Sequence, residues 1–166
     1  MTSMTFARLD ALIQSCEAHL DSTGTRNTDI ENYFVQLLLI RIVAEYETRV
    51  TALVHCRCSR PKDAHVKSFA QQQAAIVCKR FKISDIGQTL AKFGDDYRLA
   101  FISNAMTGVA HVAWDNIYSN RQSVAHEAGT QMSLRDLKTN YADSQAILEA
   151  LVLALGLRPG EIRKFK

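Results

Sequence analysis

The segment from residue 29 to residue 56 restricts the possible folds of this chain more than any other. Its apolar side chains recur every three or four residues, which is the period of an α-helix, and further apolar residues widen that stripe around much of the helix. The apolar positions are Ile30, Tyr33, Phe34, Leu37, Leu38, Leu39, Ile40, Val43, Ala44, Tyr46, Val50, Leu53 and Val54. Thr28 and Glu31 form a capping-box pattern at its start. We expect several neighbours to cover so apolar a helix and place it at the centre of a bundle.

Three other segments share the helical period. They cover residues 4–20, 109–127 and 133–155. Pro61 ends the long helix, and residues 62–102 predict several shorter helices inserted beside the core. Ser133 and Asp136 predict a cap for the last helix. Because no stretch alternates every two residues, the predicted fold is all-α: an up-down bundle of four to five core helices with a short-helix insertion.

Composition limits the class of protein. A length of 166 residues with 47% hydrophobic content is enough for one domain, predicted to span residues 1–166 with a basic C-terminal tail at 157–166. The net charge of +3 fits an RNA partner but is too small to indicate one unaided. No apolar run is long enough to cross a bilayer and no secretory leader is evident. We therefore expect a cytoplasmic protein with reduced cysteines and no membrane partner.

The sequence NRQSVAHEAG, residues 120–129, places an arginine five positions before a histidine. Arginine and histidine at this spacing or one residue wider occur three times, as Arg49–His55, Arg60–His65 and Arg121–His126. Spacing alone therefore selects none of them. The third pair is the one that follows an apolar helix and precedes a Gly-containing break and a capped final helix. A fixed guanidinium beside an imidazole that titrates near neutral pH suits chemistry on phosphate esters.

This stretch resembles the Arg-(four to six residues)-His signature of HEPN domains, compact helical RNA-associated domains that often act as ribonucleases. The runs YFVQLLLIRIVAEYETRV and ISDIGQTLAKFGDDYRLAF also resemble that family's helices, most closely in the group linked with RNA ligase and phosphatase repair systems. The resemblance implies metal-independent RNA cleavage that leaves 2′,3′-cyclic phosphate ends and needs no cofactor. It assigns His126 as general acid or base and Arg121 as the residue that holds the phosphate.

The resemblance also implies partners. Two copies of the motif usually meet across a homodimer in this family, which makes one composite site. A toxin or defence effector of this type is held in check by a partner such as an antitoxin, or works with a repair or defence protein.

Supporting positions are Asn120, Gln122 and Glu47, the last of which can orient Arg121 or pair with a neighbouring arginine.

Gln122 departs from the family pattern, because active members commonly carry Asn, Asp or His after the motif arginine. It keeps open a second hypothesis, a catalytically inactive HEPN-like module for binding or dimerisation. A third is a nucleotide-binding regulatory helical domain.

Other features favour structural interpretations. His55-Cys56-Arg57-Cys58 lacks the ligand spacing of a zinc site, so no metal is predicted. Trp114 and Tyr118 are predicted to pack in the core. Three basic groups are candidates for contacts with an RNA backbone. They are Arg57 with Arg60 and Lys62, Lys79 with Arg80 and Lys82, and the C-terminal tail with Arg158, Arg163, Lys164 and Lys166.

Overall fold

A computed structural model describes residues 6–78, 80–126 and 130–158 of the chain. These residues form eight α-helices and no β-strand, which confirms the predicted all-α class. The helices are α1 (Ala7–Thr23), α2 (Asp29–Cys58), α3 (Ala64–Val77), α4 (Ile83–Ala91), α5 (Asp95–Ala105), α6 (Ala110–Ala125), α7 (Leu134–Ser144) and α8 (Ala146–Ala154). The predicted tail beyond residue 158 lies outside the described residues.

Helix α2 is the central element, as predicted, and α1, α3, α6, α7 and α8 pack against it. At about 1.5 Å per residue its 30 residues extend for about 45 Å. Its buried side chains include Leu38, Leu39 and Ile42, each with no exposed surface.

The prediction that α2 is covered around most of its circumference is wrong for its N-terminal half. There, four large apolar side chains are 39–66% exposed. These four residues, called the α2 stripe below, are Ile30, Tyr33, Leu37 and Ile40.

Helices α4 and α5 belong to the hydrophobic core, which corrects the prediction that residues 62–102 lie beside it. Leu90 of α4 and Phe101 of α5 have no exposed surface, and α5 packs against α8. Gly87 permits a close approach of α4 and α5, because a Cβ there would lie 3.3 Å from the Ile102 side chain. The short helices therefore close one side of the bundle.

The segment predicted as one helix over 133–155 forms two, α7 and α8, separated by a turn at Gln145. Ser133 caps α7 as predicted, since its hydroxyl accepts a hydrogen bond from the Asp136 amide at 3.1 Å. The break follows Ser144, whose buried hydroxyl is 2.8 Å from the Tyr46 hydroxyl of α2. Tyr46 stacks on Trp114 of α6, so one aromatic cluster connects α2, α6 and the α7–α8 junction.

The Glu31 carboxylate connects the starts of α2 and α7. One oxygen accepts a hydrogen bond from the Asn27 amide at 2.7 Å, and the other accepts one from the Leu134 amide at 3.0 Å. These two bonds lower the pKa of Glu31. The predicted capping box is formed only in part. The Thr28 hydroxyl caps the helix by accepting from the Ile30 amide at 3.2 Å, but the Glu31 carboxylate bonds the Asn27 amide, one residue before the cap residue Thr28.

No helix in the described part of the chain is both long enough and apolar enough to cross a membrane.

Candidate functional site

The Arg–His stretch, which runs from Arg121 to His126, lies at the C-terminal end of α6. The helix is regular through Ala125 and ends there, and His126 is its C-terminal cap residue. The His126 amide donates to the Gln122 and Ser123 carbonyls at 3.1 and 3.2 Å, so the last turn remains closed. The predicted end of this helix near His126 is confirmed, whereas residues 127–129, to which the predicted break was assigned, lie outside the described residues.

Both side chains of the motif are accessible. Arg121 is half-buried, and His126 is exposed. Within residues 6–78, 80–126 and 130–158, neither the guanidinium nor the imidazole takes part in a hydrogen bond or an ion pair. Five positions along an α-helix correspond to about 140° of rotation, so the two side chains leave the helix in different directions. An accessible cation and an accessible imidazole are thus presented at one helix end but on different sides of it.

In the other two pairs of similar spacing, the arginines make contacts that stabilise the fold. The Arg49 guanidinium lies 4.2 Å from the centre of the Phe6 ring and donates to Glu45 at 2.9 Å. Arg60 donates to the Gly156 carbonyl at 2.7 Å. The pairing with Arg49 one turn away gives Glu45 a structural role. The sequence context of the three pairs and the contacts of their arginines in the structure therefore both favour Arg121 and His126.

Glu47 of α2 lies near Arg121. Partial burial raises the pKa of Glu47, and the charge of Arg121 opposes that rise. The acid is therefore placed to orient the guanidinium electrostatically, in line with one of the two roles predicted for it.

Asn120 has a positional role. Its amide donates to the Asn116 carbonyl at 2.9 Å, and its carbonyl oxygen accepts from the Thr130 hydroxyl at 2.7 Å. Thr130 is buried and accepts in turn from the Met132 amide. Asn120 therefore fixes the far end of the connection that follows His126. Gln122 is half-buried, and its backbone carbonyl accepts from His126.

The α2 stripe lies on the same side of α2 as Glu47. At 100° per residue, the four stripe residues and Glu47 fall within an arc of about 100° around the helix. Exposed apolar side chains thus extend along α2 to the acid that lies near Arg121. Sequence reasoning missed this surface because the same side chains were assigned to the core.

One of the predicted basic groups, Arg57 with Arg60 and Lys62, is partly used by the fold. The Arg57 guanidinium donates to the Tyr97 hydroxyl and lies over its ring, and Arg60 binds a backbone carbonyl as described above. Lys79 and the tail residues Arg163, Lys164 and Lys166 lie outside the described residues. The described residues contain no cluster of three or more His, Cys, Asp or Glu side chains that could hold a metal ion.

The predicted packing roles of the two α6 aromatics are confirmed. Trp114 is 1% exposed, and its ring nitrogen donates to the Phe81 carbonyl at 2.7 Å. Tyr118 is also buried. Neither ring is available to stack on a base within a single chain.

Comparisons with models of protein families, with curated proteins and with solved structures gave no match for this chain. Its function is therefore inferred from the residues of the site and from the resemblance of their pattern.

Proposed function

We propose that this protein is a metal-independent RNA endonuclease of the HEPN type, with Arg121 and His126 as its catalytic residues. One observation supports this most. Among three arginine–histidine pairs of similar spacing, this pair has an accessible imidazole and a guanidinium that the described fold does not use for a hydrogen bond or ion pair. Groups that are not needed for folding remain free to bind and transform a ligand.

The proposed reaction is an internal phosphoryl transfer. The 2′-oxygen of the RNA attacks the adjacent phosphorus, the bond from phosphorus to the 5′-oxygen breaks, and a 2′,3′-cyclic phosphate and a 5′-hydroxyl result. One imidazole takes the proton from the 2′-hydroxyl, and a second gives a proton to the departing 5′-oxygen. Arg121 places two N–H donors on the phosphate oxygens, where negative charge develops.

Two imidazoles require a second copy of the chain, and the α2 stripe offers the surface for it. Its four large apolar side chains are exposed in the single chain, and an exposed contiguous apolar surface marks an interaction site. The 3-4-3 spacing of these residues is the pattern with which two helices interlock. Because Glu47, which lies near Arg121, is on the same side of α2 as the stripe, parallel pairing of two α2 helices along the stripe would bring the two motifs toward one seam.

The test is an RNA cleavage assay with purified protein and chemical analysis of the new ends. We expect the wild type to release cyclic-phosphate and 5′-hydroxyl ends in the presence of a chelator, and His126→Ala to lose at least about a hundredfold in rate, as removal of a general acid–base does. His65→Ala is the matched control, since that exposed histidine belongs to a pair of equal spacing. Equal cleavage by the wild type and His126→Ala would remove the assignment.

Arginine substitutions separate charge from geometry. Arg121→Lys keeps a positive charge but loses the two-pronged donor arrangement. We expect it to retain RNA affinity while cleavage falls nearly as far as in Arg121→Ala. Recovery of most of the cleavage rate by lysine would show that charge alone is needed and that the proposed phosphate clamp is wrong.

The second candidate function is a catalytically inactive HEPN-like binding or dimerisation module. The exposed α2 stripe favours it independently, because that surface needs no chemistry at Arg121 or His126. This alternative predicts that the wild-type protein forms a dimer but cleaves none of the RNAs tested. It also predicts that His126→Ala binds RNA as well as the wild type does. A protein partner that restrains the ribonuclease, of antitoxin, repair or defence type, belongs to the first proposal and would be detected as an inhibitor of cleavage.

A further inference from the structure

A second concave site lies away from the motif, between α2, α3 and α4. It is a partly open cleft of about 410 Å³. Its floor is made by Val54 and Cys58 of α2 and Ala74 of α3, all of which are buried. The volume falls within the range of roughly 300–1,000 Å³ that is typical of small-molecule sites. None of the residues that line it belongs to the Arg–His stretch or to the α2 stripe.

The walls of this cleft leave apolar surface in contact with solvent. Val66 and Phe69 of α3 line the opening and are 52% and 65% exposed. Both side chains face a cleft that is already apolar, so an apolar body bound there would remove surface from water on two sides. That burial favours binding in proportion to the number of methylene groups transferred from water.

Three polar side chains line the cleft, those of Lys92, Thr89 and Gln73, and none of them is acidic. Lys92 is the one charged residue among those that line it, and it is exposed at the rim. Thr89, on the same helix one turn earlier, is 7% exposed, and its hydroxyl makes no hydrogen bond within the described part of the chain. The hydroxyl oxygen still reaches solvent in the cleft, so a ligand oxygen that takes the place of water there can accept its hydrogen bond. An ammonium group and a hydroxyl donor together match a carboxylate or a similar small anion.

We propose that this cleft binds a small amphipathic acid, with an aliphatic or aromatic body against Phe69 and Val54 and its anionic end at Lys92 and Thr89. The combination of an apolar cavity and a few convergent polar groups is the usual construction of a ligand site. A neutral hydrocarbon would leave Thr89 without a partner, and a cation would be repelled by Lys92. The ligand is therefore an acid of modest length and not a nucleotide, whose polar body does not suit an apolar floor.

The probe is decanoate, kept below its micelle concentration and titrated calorimetrically against the full chain. 1-Decanol, which has the same body without the charge, is titrated in parallel. We expect Lys92→Gln to weaken decanoate about fivefold and to leave decanol unchanged, as loss of one partly solvated ion pair does. Ala70→Trp, in the cleft wall, fills the space of two or more methylene groups and should weaken both probes at least about tenfold.

Ala75→Trp is the matched control, because Ala75 lies on the same helix, is exposed and does not line the cleft. Circular dichroism establishes that each variant is folded. If Ala70→Trp is not folded, Phe69→Asp replaces it, since that exposed position tolerates a polar residue and its charge repels the acid. Decanoate that does not bind, or that binds equally to Ala70→Trp and Ala75→Trp, overturns the proposal. RNA cleavage is not a readout here, so the two proposals fail separately.

Discussion

Replacement of Glu31 by alanine is predicted to destabilise the fold strongly, although Glu31 lies outside the candidate site. Its carboxylate is 8% exposed and accepts two backbone hydrogen bonds, from Asn27 at the start of α2 and Leu134 at the start of α7. The Leu134 amide is in a residue only 1% exposed, so water cannot replace the lost acceptor. Asn27 is at the surface, and water restores part of its bond.

The expected loss follows from these two environments. The buried Leu134 amide, left without an acceptor, lowers the stability by about 1–3 kcal/mol. Loss of the Asn27 bond, which water partly replaces, adds about 1 kcal/mol. We therefore expect Glu31→Ala to lower the free energy of unfolding by about 2–4 kcal/mol in urea or thermal denaturation. Asp29→Ala is the matched control, because it removes an exposed acid from the same first turn and should cost only about 0.3–1 kcal/mol through the helix dipole.

The pH dependence tests the same bonds in another way. The folded state lowers the pKa of Glu31 below the ordinary glutamate value of about 4.3, because two amides stabilise the charged form. The stabilisation is complete above that ordinary value and is lost as pH falls through the lowered pKa of the folded state. The stability gap between wild type and Glu31→Gln should therefore narrow between about pH 5 and pH 2. A gap that is the same at both ends of this range would refute the assignment.

Two further predictions concern single groups. Tyr46→Phe should lower the free energy of unfolding by about 1–2 kcal/mol, because it removes the buried hydrogen bond to Ser144. Tyr33→Phe, which changes an exposed hydroxyl, should stay within about 0.5 kcal/mol of wild type in urea denaturation. Equal effects of the two substitutions would contradict the role assigned to the Tyr46 hydroxyl. Gly94→Ala should cost about 3 kcal/mol, because a φ of 142° with a ψ of 154° is a conformation that residues other than glycine rarely adopt. Gly108→Ala, with a φ of 71° and open space, should cost about 1 kcal/mol, and a reversed order in thermal denaturation would contradict this reasoning.

The sequence was sufficient to locate α2 but not to orient it. Its apolar residues form two stripes with the same three-and-four spacing, one through Leu38 and Ile42 and one through Tyr33 and Leu37. Periodicity cannot tell which stripe is covered, because the answer depends on where the other helices pack. The structure buries the first and leaves the second exposed.

The division of the last helical segment was also beyond the sequence. Residues 133–155 contain no Gly or Pro that marks a break, and the apolar period continues through the turn at Gln145. The break coincides with a bond between Ser144 and Tyr46, which are 98 positions apart. A local pattern carries no information about such a distant partner.

The candidate site could be selected from sequence context but not described. Arg49 and Arg60 are distinguished from Arg121 by contacts with Phe6 and Gly156, which are far away in the chain. The proximity of Glu47 to Arg121 depends equally on the packing of α2 beside α6. The cleft between α2, α3 and α4 had no motif at all, because cavities arise from packing and not from spacing.

The most direct test of the central proposal is a complementation assay for RNA cleavage. Arg121→Ala and His126→Ala chains are co-expressed with different tags, and the mixed dimer is purified through both. We predict that each variant alone is inactive, that the mixed dimer recovers part of the wild-type rate, and that Leu37→Glu in both chains abolishes the recovery by separating them. A mixed dimer with no activity, beside an active wild type, would contradict the composite site, and a wild type that cleaves no RNA would contradict the proposed function itself.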